Sequence, residues 1–348
     1  MWKSGGELAL LSRIRARAGK AARSGLRLGI GDDCALLGVR KGEELAVTTD
    51  LSIAGRHFRL DWHAPEVVGH RTLARGLSDL AAMGARPVAA FLSLGLPPEL
   101  VRKKSASSAS WVDRFYDGFL ALAKQHETPL AGGDLAESPV AVADVVLVGA
   151  VRRGQALLRS GARAGDLLYV TGELGGASAG LSRLAEFAVS NAGQRQQTDR
   201  GAGLKIPHRF KSALDAHYYP QPRIAQGQWL AKRGLATAAL DLSDGLSTDL
   251  NRLCGESGVA AEVDAAALPI SHGATLEQAL NGGEDYELLF TAAAGARIPR
   301  VIAGVAVTRI GRVINTSGRR NARRAQATLI TAQGAQPLEP RGWEHFNQ

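Results

Sequence analysis

Cysteine is nearly missing from this chain, which has only Cys34 and Cys254 in 348 residues. Two thiols cannot make a disulfide framework, so the fold is expected to stand on its own core in a reducing cytoplasm. Both are read as buried packing residues. The sequence has no C-x-x-C and no H-E-x-x-H, which argues against zinc. It also lacks the G-x-S-x-G elbow of esterase-type nucleophiles. No apolar run approaches bilayer length, and Met1-Trp2-Lys3-Ser4-Gly5-Gly6 lacks a signal peptide's layout, so no membrane is expected. Aromatics make up only 5% of the chain, which bears on its charge. A net charge of +9 invites a nucleic-acid reading. The basic clusters, such as Arg102-Lys103-Lys104 and Arg152-Arg153, have no stacking aromatics between them. Solvated surface is the better reading, and no nucleic-acid partner is expected.

What the chain does have is aspartate at turns. Gly29-Ile30-Gly31-Asp32-Asp33-Cys34-Ala35 sets two adjacent carboxylates between a glycine pair and an apolar run. Similar clusters recur at Thr48-Thr49-Asp50, Ser78-Asp79, Gly133-Asp134, Asp241-Leu242-Ser243-Asp244 and Gly283-Glu284-Asp285. Any one of them alone is a cap or a turn. Six in one chain, with no matching set of bases, suggest hard oxygen ligands. Converging carboxylates repel one another unless a cation sits among them, and magnesium takes a few carboxylates plus substrate phosphates. If these loops converge, the natural reading is a multi-metal site handling a polyphosphate.

At this length two domains are expected, divided after Val151 into 1–151 and 152–348. Residues 7–24 read as a basic helix or arm. Leu45-Ala46-Val47 reads as a buried strand that delivers Thr48, Thr49 and Asp50 at its carboxyl end. The spacing predicts helices from Pro65 to near Gly84, over 109–125 and over 222–233, and one after Asp244-Gly245. Strands are expected over 91–96, 144–151, 166–170 and 305–313, with others ending at Asp134 and Asp241 and one around 286–290. Alternation at this spacing gives α/β or α+β layers. The Thr171-Gly172-Glu173-Leu174-Gly175-Gly176 turn could seat a phosphate at a helix N-terminus, or serve packing alone. Residues 188–207 read as a polar insertion.

The motifs above stand in family order, together with Leu77-Ser78-Asp79-Leu80-Ala81-Ala82-Met83-Gly84-Ala85 and Gly282-Gly283-Glu284-Asp285-Tyr286-Glu287-Leu288. The chain resembles the thiamine-monophosphate kinase family from about Leu28 to His345. That family belongs to the superfamily of aminoimidazole ribonucleotide synthetase and selenophosphate synthetase. The resemblance implies a two-domain architecture of that type. An N-terminal sheet domain would pair across a homodimer, and a C-terminal α/β domain would follow. It implies ATP-dependent phosphorylation of thiamine phosphate to thiamine diphosphate, with Mg2+. By motif position Asp33, Thr48, Thr49, Asp50, Asp79, Asp134, Asp241 and Asp244 look like metal ligands. Tyr116, Gly133, Asp134, Arg159 and Ser243 look like ATP contacts, and His57, Glu284 and Trp343 resemble the thiamine-phosphate pocket. Gly76 and Leu135 depart from the family's usual Asn and Thr. The runner-up reading is a related ATP-using synthetase. The non-enzymatic alternative is a protein that binds divalent metal or nucleic acid. The attacking group in the kinase reading is already an ionised phosphate oxygen, which accounts for acids without matching bases.

Overall fold

The structure, a computed structural model, describes residues 7–18, 25–30, 33–103, 108–190, 203–204, 214–316 and 326–344. The chain divides into two compact units. One comprises Met1–Leu80, Arg86–Ala150 and Leu184–Lys211, and the other Ala81–Ala85, Val151–Arg183 and Ser212–Gln348.

The first unit is built on a four-stranded sheet in the order Glu43–Ile53, Val142–Arg152, Arg86–Leu96, Leu130–Glu137. Arg86–Leu96 pairs antiparallel with Val142–Arg152 and parallel with Leu130–Glu137. Leu45 and Val47 were expected to be buried, but they are 54% and 62% exposed. Their strand lies at the sheet edge and runs on to Ile53, so Thr48-Thr49-Asp50 sits mid-strand and not at its end. Leu51, the residue after this motif, is exposed as well. Helix Pro65–Ala82 starts at its proline, as the sequence predicts, and buries Leu73, Leu77 and Leu80. Helix Trp111–Gln125 opens on a capping box, in which Ser110 Oγ accepts from Asp113 N and Asp113 Oδ2 accepts from Ser110 N. Helix Glu7–Ala18 buries Leu10 and Ile14 on one face.

The second unit holds a mixed sheet along the path Gly334–Pro337, Ala327–Thr331, Ala260–Asp264, Val305–Ile314, Leu167–Thr171, Leu288–Ala292, Ala238–Asp241. The strands around 286–290 and 305–313 do not pair with each other, because both flank Leu167–Thr171. Four strands, Ala260–Asp264, Val301–Ile302, Ala327–Thr331 and Gly334–Pro337, have no counterpart in the sequence reading. Helix Leu246–Ser257 packs Leu246, Leu250, Leu253 and Cys254 into the core at one-turn spacing. Helix Ile224–Arg233 stops at Gly234 in the left-handed conformation. Helix Gly176–Ser190 carries the first three residues of the 188–207 stretch; 191–202 and 205–207 lie outside the described residues. Among the described residues no helix is long and apolar enough to cross a membrane.

Candidate active site

In the first unit Asp33, Tyr116, Gly133 and Asp134 line one cleft of about 460 Å³. Gly133 and Asp134 reach it because Leu130–Glu137 pairs Gly133 with Leu92 and Asp134 with Ser93. Gly133 has φ +145, and a Cβ there would lie 1.9 Å from the Leu92 carbonyl oxygen, so only glycine keeps this register. Asp134 is exposed and its Oδ1 accepts from Leu135 N at 2.9 Å. Burial pushes the Tyr116 hydroxyl above its ordinary range despite the opposing charge of Arg17, so Tyr116 stays protonated. Cys34 lines the same cleft and is exposed, which corrects its reading as a packing residue. It follows Asp33 in a bend, not in a strand that would bury it. Cys254 is buried as expected, and burial pushes its thiol up to about 12.

The Glu43–Ile53 strand sorts its motif by face. The Thr48 hydroxyl bonds the Asp79 carboxylate, and Arg75 lies 3.5 Å from Asp50 and donates to Ser52 Oγ at 3.3 Å. Residues 48, 50 and 52 therefore face helix Pro65–Ala82. Thr49 alternates to the opposite face with Leu45, Val47 and Leu51, and it is exposed. Two of the three motif residues meet Asp79 and its helix, and the Thr49 side chain does not. Nearby, the Ile53 amide donates to His57 Nδ1 at 3.0 Å, which leaves the ring proton on Nε2. His57 lines a small cavity with Arg71, Thr72 and Arg75.

In the second unit Asp241 ends a buried strand, and Asp244 sits where helix Leu246–Ser257 begins. Asp249 Oδ2 accepts from the Asp244 and Gly245 amides at 2.9 and 3.1 Å, and Arg252 bridges the Asp249 and Asp244 carboxylates. Burial lifts Asp249 to about 6, with the Asp244 charge adding to the rise and the amides and Arg252 opposing it. Trp343 N donates to Asp244 O at 3.0 Å, Gly342 N to Thr248 Oγ1 at 2.9 Å, and Arg341 N to Ser247 Oγ at 3.2 Å. A Cβ on Gly342 would lie 1.9 Å from Asp244 O, so glycine permits this approach. Backbone thus anchors this segment, and the Trp343 side chain stays half exposed. Arg159 is exposed and its carbonyl accepts from Ser257 Oγ.

The Gly283–Glu287 segment is bent, with Glu284 at φ +68 and Tyr286 at φ +52. Two non-glycine residues in that region mark stored backbone strain, a feature that clusters at functional sites. The bend is pinned by Glu284 N to Ser243 O and by Tyr286 N to Leu242 O. Asp285 accepts from Gly175 N at 2.6 Å and Ala177 N at 3.1 Å. It fills the helix N-terminus that the sequence offered to a phosphate, so the Gly175-Gly176 turn serves the fold. Burial raises Asp285 to about 7 against those two amides, and Glu287 and Glu284 add to the rise. Glu287 is buried on Arg223 Nε and Thr171 Oγ1, both at 2.6 Å. Glu284 keeps one partner the sequence reading missed, His217, whose Nδ1 lies 3.7 Å away. Arg75, Arg223, Asp249 and Arg252 were missed too. For the last two, their i,i+3 spacing just past an Asp-Gly turn was the available signal.

The donor set is all oxygen, which suits magnesium. Among the described residues no three or more His, Cys, Asp or Glu side chains are gathered to hold an ion.

Residues 31–151 match the N-terminal domain model of AIR synthase related proteins, and residues 163–320 match the C-terminal one. The thiamine-monophosphate kinase of Salmonella typhimurium is 36% identical over 350 residues, 98% of either chain. That of Bacillus subtilis is 33% identical over 93% of this chain and 94% of its own length. The chain belongs to the thiamine-monophosphate kinase family. Its architecture is the two-domain α/β fold of that family. The kinase crystal structure from Stenotrophomonas maltophilia is 40% identical, with TM-score 0.72, over 89% of this chain and 95% of that one. The structure of AaThiL complexed with AMPPCP and TMP matches at 30% identity and TM-score 0.71 over 99% of both chains. E. coli HypE, a hydrogenase maturation protein, shares the fold at 16% identity and TM-score 0.68.

Proposed function

We infer that this chain transfers the γ-phosphoryl group of ATP to thiamine phosphate, giving thiamine diphosphate and ADP. The observation that carries the reading is full-length kinship at 36% identity to thiamine-monophosphate kinases. The cleft that gathers Asp33, Tyr116, Gly133 and Asp134 supports it, because an apolar wall beside acids suits a nucleotide. Asp33, Thr48, Asp50, Asp79, Asp134, Asp241 and Asp244 would hold magnesium. Thr49 would serve through its backbone, since its side chain is turned away. Bound magnesium would neutralise charge on the phosphates. The chain's own part is orientation: Arg75 sets Asp50, Arg252 sets Asp244, and the strained 283–287 bend presents Glu284. His57, Glu284 and the half-exposed Trp343 would meet thiamine phosphate, and Arg159 and Ser243 would meet ATP. No protein base is needed, because the acceptor oxygen is ionised at neutral pH. The exposed face of Leu45, Val47 and Leu51 is the surface we assign to a homodimer partner. The test is purified protein with ATP, magnesium and thiamine phosphate, with the products separated. Equal amounts of ADP and thiamine diphosphate are expected. ADP that appears without thiamine diphosphate would overturn the reading.

A further inference from the structure

The cleft that holds Asp33, Tyr116, Gly133 and Asp134 has a wall that no motif announced. Leu11 and Ile14 of helix Glu7–Ala18 line it, facing the same space as Tyr116 and Phe91. We propose that this N-terminal helix is a nucleotide-positioning element, with Leu11 packing against the base of ATP and buried Ile14 backing the same wall. The proposal rests on the nucleotide reading of the cleft and deepens it.

Three observations carry it. The cleft contains two chemistries, an apolar set (Leu11, Ile14, Ile30, Phe91, Leu92) and an acidic set (Asp33, Asp134). A nucleoside triphosphate has the same division, with a flat, weakly polar base joined to a polyanion that needs a cation beside acids. Second, the helix is fixed in register. Arg13 Nε donates to Asp113 Oδ1 at 3.0 Å, Arg17 to the Asp113 carbonyl at 2.8 Å, and Arg17 also pairs with Asp117. Positions one turn apart on this helix thus meet positions one turn apart on Trp111–Gln125, so the two run side by side in the same direction. The ladder borders Tyr116, and the Arg17 charge reaches its hydroxyl. Third, the burial pattern divides the labour. Leu10 and Ile14 are buried at 3% and 5%, while Leu11 is only half-buried although it is a cleft residue. A half-buried leucine on a concave wall has surface left for a ligand. Exposed ion pairs such as Arg17–Asp117 are worth little alone, so the apolar residues should carry the effect.

The test compares two probes on the full chain, AMPPCP and inorganic tripolyphosphate, each with magnesium. They share the phosphate chain, but only AMPPCP has a base. Leu11→Ala should weaken AMPPCP about five- to tenfold, from lost apolar contact with the base. Leu11→Trp, which fills the space, should weaken it further. Tripolyphosphate affinity should stay within about twofold in both variants, and melting temperature should hold because Leu11 is not core. A purely structural helix would move both probes together, and that result would overturn the proposal. So would AMPPCP affinity unchanged from wild type in both variants. If wild-type protein binds neither probe, the nucleotide reading of the cleft falls first and the proposal falls with it.

Discussion

Asp50 faces Arg75 and Asp244 faces Arg252, so each carboxylate is already aimed by a neighbouring cation. Exchanging either for asparagine keeps the shape and removes the charge that a phosphate-bound cation would need. Asp50→Asn and Asp244→Asn should each lower kcat by about a hundredfold or more, the scale at which preorganised electrostatic groups act. Far-UV circular dichroism should be unchanged. Near-wild-type turnover in both variants at ordinary magnesium would remove these acids from the site. The sequence made Asp50 and Asp244 visible because each sits in a short Thr- or Ser-containing acidic motif, although Asp50 lies mid-strand and only Asp244 sits at a turn. It could not show that Thr49 points away, because strand alternation becomes readable only once the strand's true length is known. Cys34 misled for a similar reason. Its apolar neighbours Ala35, Leu36 and Leu37 suggest a buried run, yet only Leu36–Leu37 forms a strand, and Leu36 is itself exposed.

Among the elements, helix Gly176–Ser190 has the least ordinary cap. Its start is held by Asp285, which is distant in sequence and raised by burial to about 7. An unfolded aspartate has an ordinary value of 3.8. Between about pH 4 and 7 the folded chain therefore holds a proton that the unfolded chain has released. The stability contributed by this group is full below that window and falls as pH rises through it. The span corresponds to at most about 4 kcal/mol. Asp285→Asn cannot titrate, so its melting temperature relative to wild type should climb as pH is raised from 4 to 7.5. A difference that stays constant with pH would contradict this account of the cap. Helices with strong local signals, such as Pro65–Ala82 and Ile224–Arg233, were readable from proline, glycine and apolar spacing. Ala260–Asp264 was not, because four of its five residues are alanine or acid, and its strand form comes from pairing on both sides. The Leu45–Val47 stretch was read as a strand correctly and as buried wrongly. An edge strand with an apolar outer face has the same sequence as a core strand, and only the sheet order separates them.

Taken whole, the chain has acids, glycine turns and oriented arginines in each of its two units. Family order made this assembly legible from sequence. The sequence offered a basic helix or arm over 7–24, and Glu7–Ala18 is helical; what it could not show is the pairing with Asp113 and Asp117 opposite. In the proposed reaction phosphate attacks phosphate directly, with the protein orienting both and forming no covalent bond to either. The most direct measurement uses ATP made chiral at the γ-phosphorus with oxygen isotopes and reads the configuration in thiamine diphosphate. One in-line displacement inverts that centre, so inversion is the predicted result. Retention would require two displacements through a phosphorylated side chain, and it would contradict the account.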